Sequence, residues 1–211
     1  MHEGFRQYSN AINVATESSR PYFRKAEILI KNDLIDEARE AISRGLEIDP
    51  ESITGTQLLV KTMDSGEIMD NLEDLISRFP ESLYLKQIIG SELVRDEPLM
   101  ALELLGKETW EDWMLRVQCH RALSEHEKAL AAAVQLIELR PENIDGWIAA
   151  GWSAFDLGKY DESSDFFDSA MGCDMYCPDA LLGKASVLKK MGKDSSPYSQ
   201  ALTDLDLDLV I

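Results

Sequence analysis

Basic residues are scarce in this chain: 21 Lys and Arg stand against 39 Asp and Glu, a formal net charge of −18. A protein that tracks DNA or RNA needs a basic face, so the balance argues against a nucleic-acid partner. Two readings of the acidity stay open: solubility of a large surface, or a partner with a basic segment. Cysteine is nearly absent. Three cysteines in 211 residues make no even disulfide framework, and a reducing cytoplasm is their simplest setting. No apolar run reaches the ~18 residues of a bilayer span. The opening Met1-His-Glu-Gly-Phe-Arg lacks a basic segment leading into an apolar one. Neither a secretory signal nor a membrane partner is expected.

Constellations for catalysis are missing as well. There is no Gly-x-x-x-x-Gly-Lys-Ser/Thr loop for phosphates. The three histidines, His2, His120 and His126, fall in no His-Glu-x-x-His pattern and read as ordinary helix-surface or interhelix residues. Cys173 and Cys177 are the only clustered thiols. A structural zinc needs four tetrahedral ligands; Cys119 and His120 lie in another segment, and Asp174 and Asp179 are poor substitutes. Two free thiols in a helix–helix connection are expected. Asp204, Asp206 and Asp208 alternate without the glycine and terminal glutamate of an EF-hand loop. No catalytic residue, metal or cofactor is expected, and the chain reads as a non-enzyme.

What is present is helical periodicity. Hydrophobic residues make up 45% of the chain, enough for a core. Residues 143–179 carry two amphipathic runs joined at Gly158-Lys159, with apolar or small residues at Trp147, Gly151, Ala154, Phe166, Phe167 and Ala170. One such pair cannot bury its aromatics and needs copies stacked beside it. Moving 34 residues back from Trp147, Gly151 and Gly158 reaches Trp113, Val117 and Ser124; moving 34 forward reaches Leu181, Ala185 and Gly192. An earlier unit runs Tyr22, Ala26, Leu29, then Ala38 and Ile42, then Pro50. In this period and size alternation the chain resembles the tetratricopeptide repeat (TPR) family. The resemblance implies an all-α fold, a right-handed α-solenoid of about five to six helix pairs.

The expected organisation is a single solenoid over 1–211. Residues 1–19 form a half-repeat or cap, with Phe5, Tyr8, Ile12 and Ala15 on one stripe. Repeats follow at 20–50, 52–80, 82–107, 110–141 and 144–175, and 178–211 holds a last repeat or capping helix. Pro50-Glu-Ser52, Pro80-Glu-Ser82 and Pro141-Glu-Asn143 punctuate the repeats: proline stops one helix, and Ser or Asn caps the next. Thr109 with Asp112 reads as a capping box. A last helix starts at Ser196-Pro197, while 205–211 alternates like a strand and also fits a helix.

In the TPR family the first helices of successive units line a concave groove that holds a peptide. The resemblance puts Met114, Gln118 and Arg121, then Ile148, Trp152 and Phe155, then Leu182, Ser186 and Lys189 in that groove, with Phe23, Glu27 and Ile30 from the first unit. Trp152 and Phe155 are expected to serve as anchors beside Arg121; two alternatives are that the superhelix buries them or that the Leu-rich tail covers them. TPR modules that bind heat-shock chaperones grip a carboxylate with Lys, Asn and Arg from groove positions. Here those positions hold Phe23, Glu27, Met114, Gln118, Ile148 and Trp152, so that clamp is missing. The expected function is a scaffold or adaptor that binds a protein or peptide segment. The alternative is a self-assembling structural protein, a homo-oligomer joined through its Leu-rich tail.

Overall fold

A computed structural model describes residues 18–205. The readings made for Phe5, Tyr8, Ile12 and Ala15, and for the alternating tail after Leu205, lie outside the described residues. Among the described residues the chain is all-helical, with twelve helices and no strand. None is long and apolar enough to cross a membrane. The chain divides after Glu97 into two units.

The first unit holds α1 (Arg20–Lys31), α2 (Ile35–Ile48), α3 (Ile53–Val60), α4 (Ser65–Arg78) and α5 (Leu83–Leu93). α1 packs on α2 and α3, and α5 touches α3 and α4. Phe23, Ala26, Leu29, Ala38, Ala41 and Ile42 form the centre of its core. Phe23 is the large member of that set. Its ring lies where a Cβ on Gly45 or Gly55 would stand, so glycine on α2 and α3 leaves room for it. The sequence put Phe23 on the groove stripe; at 4% exposure it belongs to the core instead. The two flanking glycines open the space that draws the ring inward.

The second unit holds α6 (Pro98–Leu104), α7 (Trp110–Ala122), α8 (His126–Leu139), α9 (Ile144–Asp156), α10 (Tyr160–Cys173), α11 (Pro178–Lys190) and α12 (Ser196–Asp204). Each helix packs on the next, and α9 also touches α7 and α11. The first helices α7, α9 and α11 thus lie side by side. Phe167 of α10 plays the part that Phe23 plays in the first unit. Its fully buried ring edge fills the space beside Gly151 of α9 and Gly183 of α11. The Ser163 hydroxyl, also buried, donates to the Gly151 carbonyl at 2.8 Å.

The 34-residue register has a backbone counterpart. Among the described residues positive φ occurs at Asp33 (58°), Ser124 (57°), Gly158 (73°) and Gly192 (68°). Ser124, Gly158 and Gly192 are spaced by 34, and Asp33 follows Tyr22 at the same interval as Gly158 follows Trp147. In each case the next residue's N–H reaches five residues back: Leu34 to Leu29, Glu125 to His120, Lys159 to Ala154 and Lys193 to Leu188. That bond, with a left-handed residue inside it, closes the helix end and reverses the chain. The turns before α4 and α6 have no such residue, which is where the sequence pattern departs most from the family.

Helix starts follow the sequence punctuation. Ser52, Ser82 and Asn143 accept from Gly55, Leu85 and Asp145 N–H groups. Thr109 and Asp112 make the expected capping box, and Asp64 with Glu67 makes a second. The indole N–H groups of Trp113 and Trp147 each bond a carbonyl six residues earlier, Lys107 at 3.1 Å and Pro141 at 2.8 Å. The same contact one period apart pins the start of α7 and of α9 to the loop before it.

Candidate partner-binding face

One face of α7, α9 and α11 collects the second-unit residues that the family resemblance assigned to a groove; Phe23, Glu27 and Ile30 lie on α1 of the first unit. They sit at i, i+4 and i+7 of each helix, which places them on one side. Across the three helices they form rows: Met114, Ile148 and Leu182; then Gln118, Trp152 and Ser186; then Arg121, Phe155 and Lys189. Gln118, Arg121, Leu182 and Lys189 are exposed, and Met114, Ile148, Trp152 and Phe155 are half-buried. Met114 also packs against the core around Val117 and Leu136.

The aromatic pair is neither free nor fully enclosed. Trp152 meets Phe155 edge-on at 5.7 Å and the buried Phe167 edge-on at 5.3 Å. Phe155 in turn meets Tyr160 at 5.6 Å. Such pairs hold the rings in one orientation, so the face presents a preformed aromatic step standing on the core. Arg121 is tied down as well. Its guanidinium bonds the Asp156 carboxylate of α9 at 3.3 Å and 3.2 Å, an arrangement that sequence spacing did not disclose.

Charge is divided between the layers. In this unit α7, α9 and α11 hold five Lys and Arg against five Asp and Glu, whereas α6, α8, α10 and α12 hold one against eight. The excess of acidic residues on the helices of this unit therefore lies on α6, α8, α10 and α12, not on the helices that carry the rows just described. One cation is inside: Lys184 of α11, 6% exposed, bonds the Ser164 hydroxyl at 2.6 Å and the Asp168 carboxylate of α10. A buried ammonium needs such partners.

His120 Nδ1 lies 2.8 Å from Glu125, and the neighbouring Lys128 and His120 hold the Glu125 carboxyl below its usual range. His126 lies 3.8 Å from Asp156. Cys173 is exposed at the end of α10, Cys177 is half-buried before α11, and both are free thiols. Cys119 is buried, and desolvation pushes its thiol up to about 11. Arg116, unremarked in the sequence, caps the end of α6 by donating to the Gly106 and Leu105 carbonyls, each at 2.8 Å. In the first unit Arg24 bonds Glu27 at 2.7 Å beside a depression lined by Arg20, Asp49 and Ser52.

Comparison with known proteins bears on the fold. Residues 19–52 match the family model described as Tetratricopeptide repeat. The search of curated proteins found no match. Among solved structures the chain is similar to YrrB, described as a TPR protein with an unusual peptide-binding site. The identity is 22% over 84% of this chain and 97% of that one, with a TM-score of 0.57. It is similar to PilW, a widely conserved type IV pilus biogenesis factor, at 12% identity, 88% and 89% coverage and a TM-score of 0.67. The C-terminal part of a TPR repeat-containing protein from Cytophaga hutchinsonii aligns at 14% identity over 98% of this chain and 90% of that one, again with a TM-score of 0.67. At these identities the likeness is one of fold. Helix pairs in a 34-residue register, the left-handed residue at the same place in four turns and the matched repeat at 19–52 give this chain the fold of a tetratricopeptide repeat protein.

Proposed function

We propose that this protein is a non-catalytic scaffold or adaptor that grips a segment of a partner protein on the face of α7, α9 and α11. The observation that carries the reading is the aromatic step of Trp152 and Phe155, half-buried and oriented by Phe167, flanked by the exposed Gln118, Arg121, Leu182 and Lys189. Rigid aromatic anchors with a polar surround are the usual makings of a binding hot spot. The occupant is a peptide or protein segment. In this unit the second helices carry the helical excess of acidic residues, so a partner that is basic throughout suits that layer better than this face. Three free thiols support a reducing compartment, the cytoplasm.

The test is capture from an extract of the native cells with three baits: the full chain, Trp152→Ala and Leu182→Asp. Leu182 is 40% exposed, so its substitution leaves the core alone. Trp152→Ala weakens partner binding by about 2 kcal/mol, some thirtyfold, at unchanged helix content. A partner held equally by all three baits removes this face from the function.

A further inference from the structure

The repeat register places charge on this same face in a pattern that the scaffold reading does not require. Three residues before Met114, Ile148 and Leu182 stand Glu111, Asp145 and Asp179, one carboxylate on each first helix and all exposed. At the opposite end of the face stand Arg121 and Lys189, with Lys190 beside Lys189, also exposed. Positions i, i+3, i+7 and i+10 share one side of a helix. From one edge to the other the face therefore runs carboxylates, an apolar row, the row of Trp152, then Phe155 between two cations. Asp156 offsets part of the cationic edge through Arg121, and Arg140 stands 3.9 Å from Glu111 at the acidic one. Each sign also suits the dipole at its helix end. The dipole alone does not explain why apolar and aromatic rows fill the space between. In the first unit the corresponding residue of α1 is Arg20, so the pattern belongs to the second unit.

We infer that the occupant of this face is a bipolar amphipathic helix: an apolar ridge with basic residues along one flank and acidic residues along the other. The inference rests on the reading of the face as a partner-binding site and specifies the partner's chemistry. The two charged edges are ten residues apart on α7 and on α11, about 15 Å at 1.5 Å per residue. A helix with its side chains is ~10–12 Å across. One helix laid over α7, α9 and α11 thus sets its ridge on Ile148, Trp152 and Phe155 while long flanking side chains reach both edges. Neighbouring packed helices are ~8–10 Å apart, so like charges on the partner recur about every seventh residue. Reversing the partner's direction exchanges its flanks. The face therefore reads orientation as well as sequence, and a partner charged alike on both flanks meets one repelling edge whichever way it lies.

The probe is a display library of helix-forming peptides of about 18 residues, with a fixed Leu, Phe and Ala ridge and flanks randomised among Lys, Glu and Gln. It is selected on the full chain, on Trp152→Ala, on a triple variant of the acidic edge (Glu111→Lys, Asp145→Lys, Asp179→Lys) and on one of the cationic edge (Arg121→Gln, Lys189→Glu, Lys190→Glu). All the edge positions are exposed, and circular dichroism checks that each bait is folded. The full chain is expected to enrich peptides with Lys on one flank and Glu on the other. Such a peptide should bind about tenfold tighter than its all-Lys or all-Glu counterpart at low salt, with a margin that shrinks as salt rises. The acidic-edge variant is expected to turn the selection toward Glu on both flanks, and the cationic-edge variant toward Lys on both. Flanks of one sign from the full chain, or the same pattern from all baits, overturn the bipolar partner; if enrichment still needs Trp152, the binding face itself stands. An empty selection, or one indifferent to Trp152→Ala, overturns both.

Discussion

Replacing Gly183 by alanine tests how the second unit is held together, because two physical effects of opposite sign meet there. Gly183 lies within α11, where helix propensity alone makes alanine more favourable by about 0.5–1 kcal/mol. A Cβ at this position, however, would stand 2.2 Å from Cε1, 2.3 Å from Cζ and 2.6 Å from Cδ1 of Phe167. Carbon atoms in contact prefer ~3.5–4 Å, so the ring must move by more than about an ångström. Phe167 is fully buried, and the same ring edge would be 2.7 Å from a Cβ on Gly151, so α9 closes one route of escape. Overpacking of this kind costs about 1–3 kcal/mol. The expected net effect is a loss of about 1–2 kcal/mol, read as a lower urea midpoint at unchanged slope. Adding Phe167→Leu to Gly183→Ala should recover part of the loss, with about 1 kcal/mol of coupling between the sites. Gly172 of α10 supplies the control: a Cβ there meets nothing within 4 Å, so Gly172→Ala should be neutral to slightly stabilising. A Gly183→Ala protein as stable as the wild type would refute the account of Phe167 as a ring fitted against two glycines. It would also remove the support on which Trp152 stands.

Two further outcomes are expected from the turns and thiols. Ser124 holds φ 57° at the place where Gly158 and Gly192 stand in the next repeats. Ser124→Gly should therefore raise stability by about 0.5–1 kcal/mol, the left-handed strain relieved less the freedom added to the unfolded chain. A lowered urea midpoint would contradict this. Cys119, whose thiol is pushed up to about 11 by burial, should carry about a thousandth of its molecules as thiolate at pH 8 and resist iodoacetamide until the protein unfolds. The exposed Cys173 should label in the native state, and equal labelling of the two by mass spectrometry would show that α7 opens readily.

Much of the local structure was legible because it depends on short-range chemistry. The 34-residue recurrence of Trp113, Trp147 and Leu181, and of Ser124, Gly158 and Gly192, marks helix pairs and turns. A residue that must reverse the chain after a helix is constrained by its own backbone, wherever the neighbours lie. The Pro-Glu-Ser and Pro-Glu-Asn punctuation was readable for the same reason, since a cap bonds groups two or three residues away. The face of α7, α9 and α11 was legible as a set of positions, because periodicity alone puts them on one side.

What escaped the sequence needed distances between helices. Phe23 and Ile148 occupy equivalent places in their repeats, yet Phe23 is core and Ile148 half-buried. The difference is the glycine pair facing Phe23 from α2 and α3, residues that are remote in sequence. Whether Trp152 was anchor or core could not be read from its own helix, because that turned on where the Phe167 ring would lie. The pairing of Arg121 with Asp156 and of Lys184 with Asp168 required adjacent repeats to be set at a particular spacing. Net charge was fixed by composition, but the acidic excess on the second helices of the second unit appeared only once each helix had a layer. The sequence by itself determined the repeat, its period and its turns, because those follow from the chain's local covalent and hydrogen-bonding limits. Tertiary structure decided which aromatics are buried and which charges meet, because packing joins atoms that the sequence keeps apart.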